Sequence, residues 1–133
     1  MTFEEIIDQV RHFHDAFRIG NASEPVAQLS QKEFKLRYDL MREENDEYLE
    51  AAREGNLIEV ADALGDQLYI LCGTLLKHGL QDKIVDVFNE IQRSNMSKLD
   101  HNGDPIYRED GKVLKSDRYF KPDIESILME PVV

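Results

Sequence analysis

Residues 31–78 hold two amphipathic helical stretches broken once, at Gly55-Asn56, and that single break constrains the fold most. The first stretch follows Ser30, with Glu33 placed as the partner of a capping box, and runs to about Gly55. The second runs from about Leu57 to His78 and meets Gly79 where a left-handed residue ends a helix. So short a connection makes the two fold back as an antiparallel hairpin.

Two further helices are predicted around it. TFEEIIDQVRHFHDAF has Thr2 as a candidate N-cap, Glu5 as its partner, and Phe3, Ile6, Ile7, Val10, Phe13 and Phe17 in one broad stripe. Gly20, Asn21 and Pro25 then punctuate a connection. A stretch from Gln81 to about Ser97 offers Ile84, Val85, Val87, Phe88 and Ile91 as core residues. From Leu99 onward Gly, Pro and Asp are dense, with short alternating pieces around Ile106–Tyr107 and Val113–Leu114. The expected architecture is all-α: a four-to-five-helix bundle with an irregular C-terminal tail or small hairpin, assembled as an oligomer. One domain is expected over residues 1–133, with a core at about 3–98 and a tail from about 99.

Acids sit where this pattern wants apolar residues. At about 100° per residue, Leu36, Leu40, Glu43, Glu47 and Glu50 share one sector of about 80°. In EVADALGDQLYI, Glu59, Asp62 and Asp66 share a side with Ala63, Ile70 and Gly73. The hairpin lets the two acidic patches face each other. Clustered carboxylates raise one another's pKa and lose hydration, and a divalent cation removes both costs. Oxygen ligands without nearby His or Cys suit Mg²⁺, with Mn²⁺ able to substitute, rather than zinc. The competing reading of an acid-rich helix is a solvated face laced with weak ion pairs.

Charge narrows the partners. Acids outnumber bases 27 to 16, for a net charge of −11, which repels nucleic acid and anionic membranes. Within that acidic chain, Lys98, Lys112, Lys115, Arg118 and Lys121 fall in the short stretch after SNM. Four of them, Lys98, Lys112, Lys115 and Arg118, with Asn95, are candidate ligands for phosphate oxygens, and Tyr119 for stacking on a base. Metal-binding acids plus a basic clamp suit phosphoanhydride hydrolysis, with one carboxylate left to orient or deprotonate water. The lone Cys72 lies in an apolar run and is expected to pack there. No apolar run approaches a membrane span, and a cytoplasmic location is the expectation.

LMREENDEYLEA, EVADALGDQLYI and SNMSK resemble the MazG-like all-α nucleoside triphosphate pyrophosphohydrolases, a group that includes dimeric dUTPases and phosphoribosyl-ATP pyrophosphatase. The resemblance covers roughly residues 5–98. It implies a helical bundle completed as a dimer or dimer of dimers. It also implies Mg²⁺-dependent cleavage of a nucleoside triphosphate between the α and β phosphates, giving a monophosphate and pyrophosphate. The family's ExxE pair matches Glu44 and Glu47, preceded by Glu43, which makes Glu43, Glu44 and Glu47 the candidate catalytic carboxylates. Its ExxD pair matches Glu59 and Asp62. Many relatives carry an aspartate directly before the LLY-type run; that place is Asp66 here, with Ala63 three residues earlier. The metal set is therefore Glu44, Glu47, Glu59, Asp62 and Asp66, with Glu50 able to replace or supplement Glu43. Among substrates, dUTP or dCTP leads. The other reading is a noncatalytic helical nucleotide-binding or interaction module. A di-iron storage bundle would want Glu-x-x-His pairs, and the sequence has none.

Overall fold

The computed structural model describes residues 1–131. Its elements are α1 (Phe3–Ala16), α2 (Gln31–Glu54), α3 (Leu57–Lys77), α4 (Ile84–Met96), β1 (Ile106–Tyr107), β2 (Val113–Leu114) and α5 (Ile124–Met129). The chain is all-α apart from one two-stranded ribbon, and it divides into two compact units, Met1–Gln81 and Asp82 onward. The fourth helix therefore groups with the tail.

In the first unit α2 and α3 form the hairpin, and α1 packs on α3. The predicted caps are in place. Thr2 Oγ1 accepts from the Glu5 amide at 3.1 Å, and Ser30 Oγ accepts from the Glu33 amide at 3.2 Å. At the turn, Gly55 takes φ +66°, which glycine adopts without Cβ strain, and Asn56 Oδ1 accepts from the Glu59 amide to start α3. Ile7 and Val10 of α1 are buried, as are Ala51 of α2 and Ala63, Cys72, Leu75 and Leu76 of α3. Cys72 is a packed hydrophobe, as expected.

The inward face of α2 differs from the periodicity reading. Leu36 is 53% exposed, while Arg37 is 7% exposed and Ala51 is buried. The helix is turned by about one residue, ~100°, relative to the expected Leu36–Leu40–Glu43 stripe. Small residues on α3 explain the choice. A Cβ at Gly73 would lie 2.6 Å from Arg37 Nη2 and 2.8 Å from His14 Nε2, so glycine there makes the space that both long side chains fill.

In the second unit, α4 begins at Ile84 rather than Gln81, with Lys83 as its N-cap. Lys83 Nζ donates to the Ile127 carbonyl at 3.1 Å and also to the Glu130 carbonyl, at the end of α5. Val85, Phe88 and Ile91, expected in a core, face solvent on this chain. The expected hairpin is present: Ile106 pairs with Leu114 and Tyr107 with Val113, antiparallel. Serines hold the tail. Ser94 Oγ donates to the Phe120 carbonyl at 2.8 Å, and Ser97 Oγ accepts from the Phe120 amide at 3.1 Å.

Candidate metal centre

Three carboxylates meet where the hairpin brings α2 and α3 side by side. Glu44 and Glu47 stand one turn apart on α2, Asp66 stands on α3, and each offers an oxygen within 4.8 Å of the others. They are the one such group of His, Cys, Asp or Glu among the described residues. Helical spacing explains the pair on α2, since residues three apart share a face. On α3 the position three before Asp66 is Ala63, only 2% exposed, so that helix presents one acid to the cluster.

The electrostatics are those of like charges held close together and partly desolvated. Glu44 is pushed up to about 7. Burial is the largest cause, followed by a hydrogen-bonding contact with Glu47 and then the charges of Glu47, Asp66 and Asp62. Asp66 is raised as well, by burial first and then by Asp62 and Glu47. Glu44 Oε2 is out of reach of solvent and has no hydrogen-bond partner. An orphaned buried carboxylate oxygen beside two more carboxylates fits a hard divalent cation, whose ligands are oxygens.

The other expected acids are placed differently. Asp62 is exposed and lies outside the cluster, acting on Glu44 and Asp66 through its charge. Glu59 is exposed in the first turn of α3, and Glu43 and Glu50 are exposed on α2, also outside the cluster. Beside the carboxylates, Tyr38, Met41, Arg42, Asn45, Gln67 and Leu71 line a mostly apolar hollow of about 440 Å³. Gln67 Nε2 donates to Asn45 Oδ1 at 3.1 Å there, linking the residues that follow Asp66 and Glu44.

The basic candidates all belong to the second unit. Asn95 lies exposed near the end of α4, and the backbone carbonyl of Lys98 accepts from the Ser116 amide at 3.2 Å. The Lys112 amide donates to Asp110 Oδ1 at 3.1 Å. Lys115 Nζ sits 4.6 Å from the Tyr119 ring centroid, a cation–π pair that occupies the face expected to receive a base. Arg118 lines a cavity of about 660 Å³ with Met96, Leu99, His101, Asn102 and Phe120.

Sequence reasoning missed Arg37. Its Nε donates to Thr74 Oγ1 at 3.0 Å and its Nη2 to the Ile70 carbonyl at 2.9 Å. The signal was available: a basic residue seven positions before Glu44 shares its helical face.

A family model described as phosphoribosyl-ATP pyrophosphohydrolase matches residues 10–95, which include all three clustered acids. An uncharacterized protein of Acanthamoeba polyphaga mimivirus is 35% identical over 68 residues, 51% of this chain. The aligned stretch is 27% of that relative, so the chain spans about a quarter of its length.

Proposed function

The chain belongs to the phosphoribosyl-ATP pyrophosphohydrolase family, within the MazG-like all-α nucleoside triphosphate pyrophosphohydrolases, and from that premise we propose a Mg²⁺-dependent nucleoside triphosphate diphosphatase. It cleaves the α–β phosphoanhydride to release a nucleoside monophosphate and pyrophosphate. The observation that carries this reading is the Glu44–Glu47–Asp66 cluster, with its orphaned oxygen and raised pKa values.

Each residue has a proposed part. Glu44, Glu47 and Asp66 hold the cation, and Asp62 adds negative potential. When bound, Mg²⁺ supplies charge neutralisation for phosphate oxygens and acidifies a bound water. Glu43, exposed beside the cluster and outside it, is the carboxylate left to orient that water or take its proton. Lys98, Lys112, Lys115, Arg118 and Asn95 neutralise polyphosphate oxygens, and Tyr119 contacts base or sugar once Lys115 leaves its ring.

A deoxynucleoside triphosphate such as dUTP or dCTP remains the leading substrate, and the name of the matched family places phosphoribosyl-ATP beside them on any panel. A homo-oligomer is the proposed working form, a dimer or a dimer of dimers. Leu57 and Ile58 at the start of α3 are 78% and 79% exposed, and Leu36, Leu49, Leu64 and Phe88 are exposed too. Apolar exposure on that scale supports a second copy as cover. Among the described residues no helix is long and apolar enough to cross a membrane.

The test is product analysis of Glu47→Gln against wild type on a nucleotide panel. Wild type is expected to release monophosphate and pyrophosphate, and the variant to lose turnover while keeping its helical content. Turnover near wild type in the variant would contradict the site assignment.

A further inference from the structure

Arg37 is the most deeply buried charge on α2, at 7% exposure, and among the described residues no carboxylate lies within ion-pair distance of it. Desolvation lowers its pKa, and only neutral acceptors answer it. A residue serving packing alone would be apolar here, because replacing buried charge by well-packed hydrophobic volume is often neutral or stabilising. The guanidinium must therefore supply something directional.

What it supplies is a cross-helix fork. Nε reaches Thr74 Oγ1 and Nη2 reaches the Ile70 carbonyl, while Thr74 Oγ1 itself donates to that carbonyl at 2.9 Å. Ile70 and Thr74 are the residues one and two turns after Asp66 on α3, and Arg37 is two turns before Glu44 on α2. The fork thus joins the two helices that carry the cluster, on the faces that carry it. Two other polar links lie in the same antiparallel register, each pair at nearly equal chain distance on either side of Gly55. Glu33 pairs with Lys77 at 3.1 Å beyond the fork, and Asn45 bonds Gln67 at 3.1 Å beside the cluster. The Asn45–Gln67 bond is exposed and Glu33 is half open to solvent, whereas both bonds of the fork are partly buried and so compete less with water. Gly73 completes the device by leaving room for the guanidinium against His14.

We propose that Arg37 is a positioning residue: its partly buried fork to Ile70 and Thr74 locks the α2–α3 register that keeps Glu44 and Glu47 opposite Asp66. This rests on the reading of the cluster as a divalent-cation site. A slip along α2 would carry Glu44 past Asp66 and separate the three oxygens. Cation affinity, rather than folding, is therefore the property Arg37 controls.

The test measures Mn²⁺ binding to the nucleotide-free full chain by electron paramagnetic resonance, with thermal unfolding and helical content recorded alongside. Arg37→Met keeps the volume and removes the fork. It is expected to unfold cooperatively with a Tm close to that of wild type, while Mn²⁺ affinity drops about ten- to a hundredfold, the range for groups that orient metal ligands. Arg37→Lys, which keeps a donor for the Ile70 carbonyl, is expected to recover part of the loss. Gly73→Ala, which crowds the guanidinium from the other side, supplies an independent variant and is expected to weaken Mn²⁺ in the same direction. A folded Arg37→Met or Gly73→Ala chain that binds Mn²⁺ like wild type overturns the proposal. Wild-type chain that binds no Mn²⁺ overturns the cation reading itself, a separate outcome.

Discussion

The acidic centre of the first unit and the basic stretch of the second differ in how they are built. Glu44, Glu47 and Asp66 are fixed by two long helices, converge within 4.8 Å, and include two groups whose pKa values are raised. The basic residues ride on a helix end, a two-residue ribbon and loops, and Lys115 is engaged with its own neighbour Tyr119. Repulsion concentrated by rigid helices is what the proposed cation would relieve. Charges spread over an irregular segment form no such cluster, and in the proposed function a polyphosphate would have to gather them.

Four predictions press on that contrast, beginning with the strongest. Glu47→Gln removes a ligand from the rigid centre and is expected to lower turnover by about a hundredfold or more, beyond the effect of altering a supporting group. Steady-state kinetics read this, and circular dichroism checks that the helices persist. A small kinetic effect would mean that the cluster does not carry the chemistry.

Lys98→Ala removes one charge from the diffuse set. Losing a single charge-assisted hydrogen bond, worth about 1.5–3 kcal/mol, is expected to weaken triphosphate binding about ten- to a hundredfold while leaving Mg²⁺ affinity near wild type. Calorimetric titration of each ligand separates the two. Unchanged nucleotide affinity would remove Lys98 from the clamp.

Glu44 links the acidic centre to pH. Its folded pKa of about 7 lies above the ordinary 4.5, so between those values the cation-free folded state holds a proton that the unfolded state has released. Stability without divalent ions should therefore fall as pH rises from 4.5 to 7, and added Mg²⁺ should restore it. Because the cation displaces that proton, Mg²⁺ affinity should weaken as pH drops below 7. Denaturation curves with Mg²⁺ and with chelator, across pH 5 to 8, read both trends. A Mg²⁺-induced stabilisation of the same size at pH 5 and pH 8 would contradict the linkage.

The smallest expected effect concerns the tail. Ser116 Oγ lies 3.1 Å from the Ser97 carbonyl and 2.7 Å from the Leu99 carbonyl, and it accepts from the Arg118 amide at 3.1 Å. Ser116→Ala is expected to cost about 1 kcal/mol and to speed amide exchange around Arg118 without altering metal affinity. Slow exchange there in the variant would show that other contacts set the order of this segment.

The contrast also explains what could be read from the sequence. Caps and breaks act locally, so Thr2, Ser30, Gly55 and Gly79 marked the helix limits, and alternation marked both short strands. Periodicity found the acid-bearing face of α2 only to within about one residue's rotation, so Leu36 proved exposed, and Glu44 was among the expected ligands through the ExxE resemblance instead. The remaining error has a tertiary cause. Which face of α2 turns inward depends on the space at Gly73 and on the small Ala63, opposite it on another helix. Spacing alone puts Arg37 on the Glu44 face, but the carbonyl and hydroxyl it reaches on α3 are a tertiary matter that no spacing shows. Lys83 reaches a backbone acceptor more than forty residues away, a contact that no local pattern contains.

The most direct test of the central claim is a chromatographic product assay of the wild-type chain on nucleoside and deoxynucleoside triphosphates and phosphoribosyl-ATP, with Mg²⁺ and with chelator. Cleavage that yields pyrophosphate and the matching monophosphate, and that stops with chelator, is the predicted result, and the substrate ranking names the preferred base. Release of orthophosphate and a nucleoside diphosphate, or turnover indifferent to chelator, would contradict it.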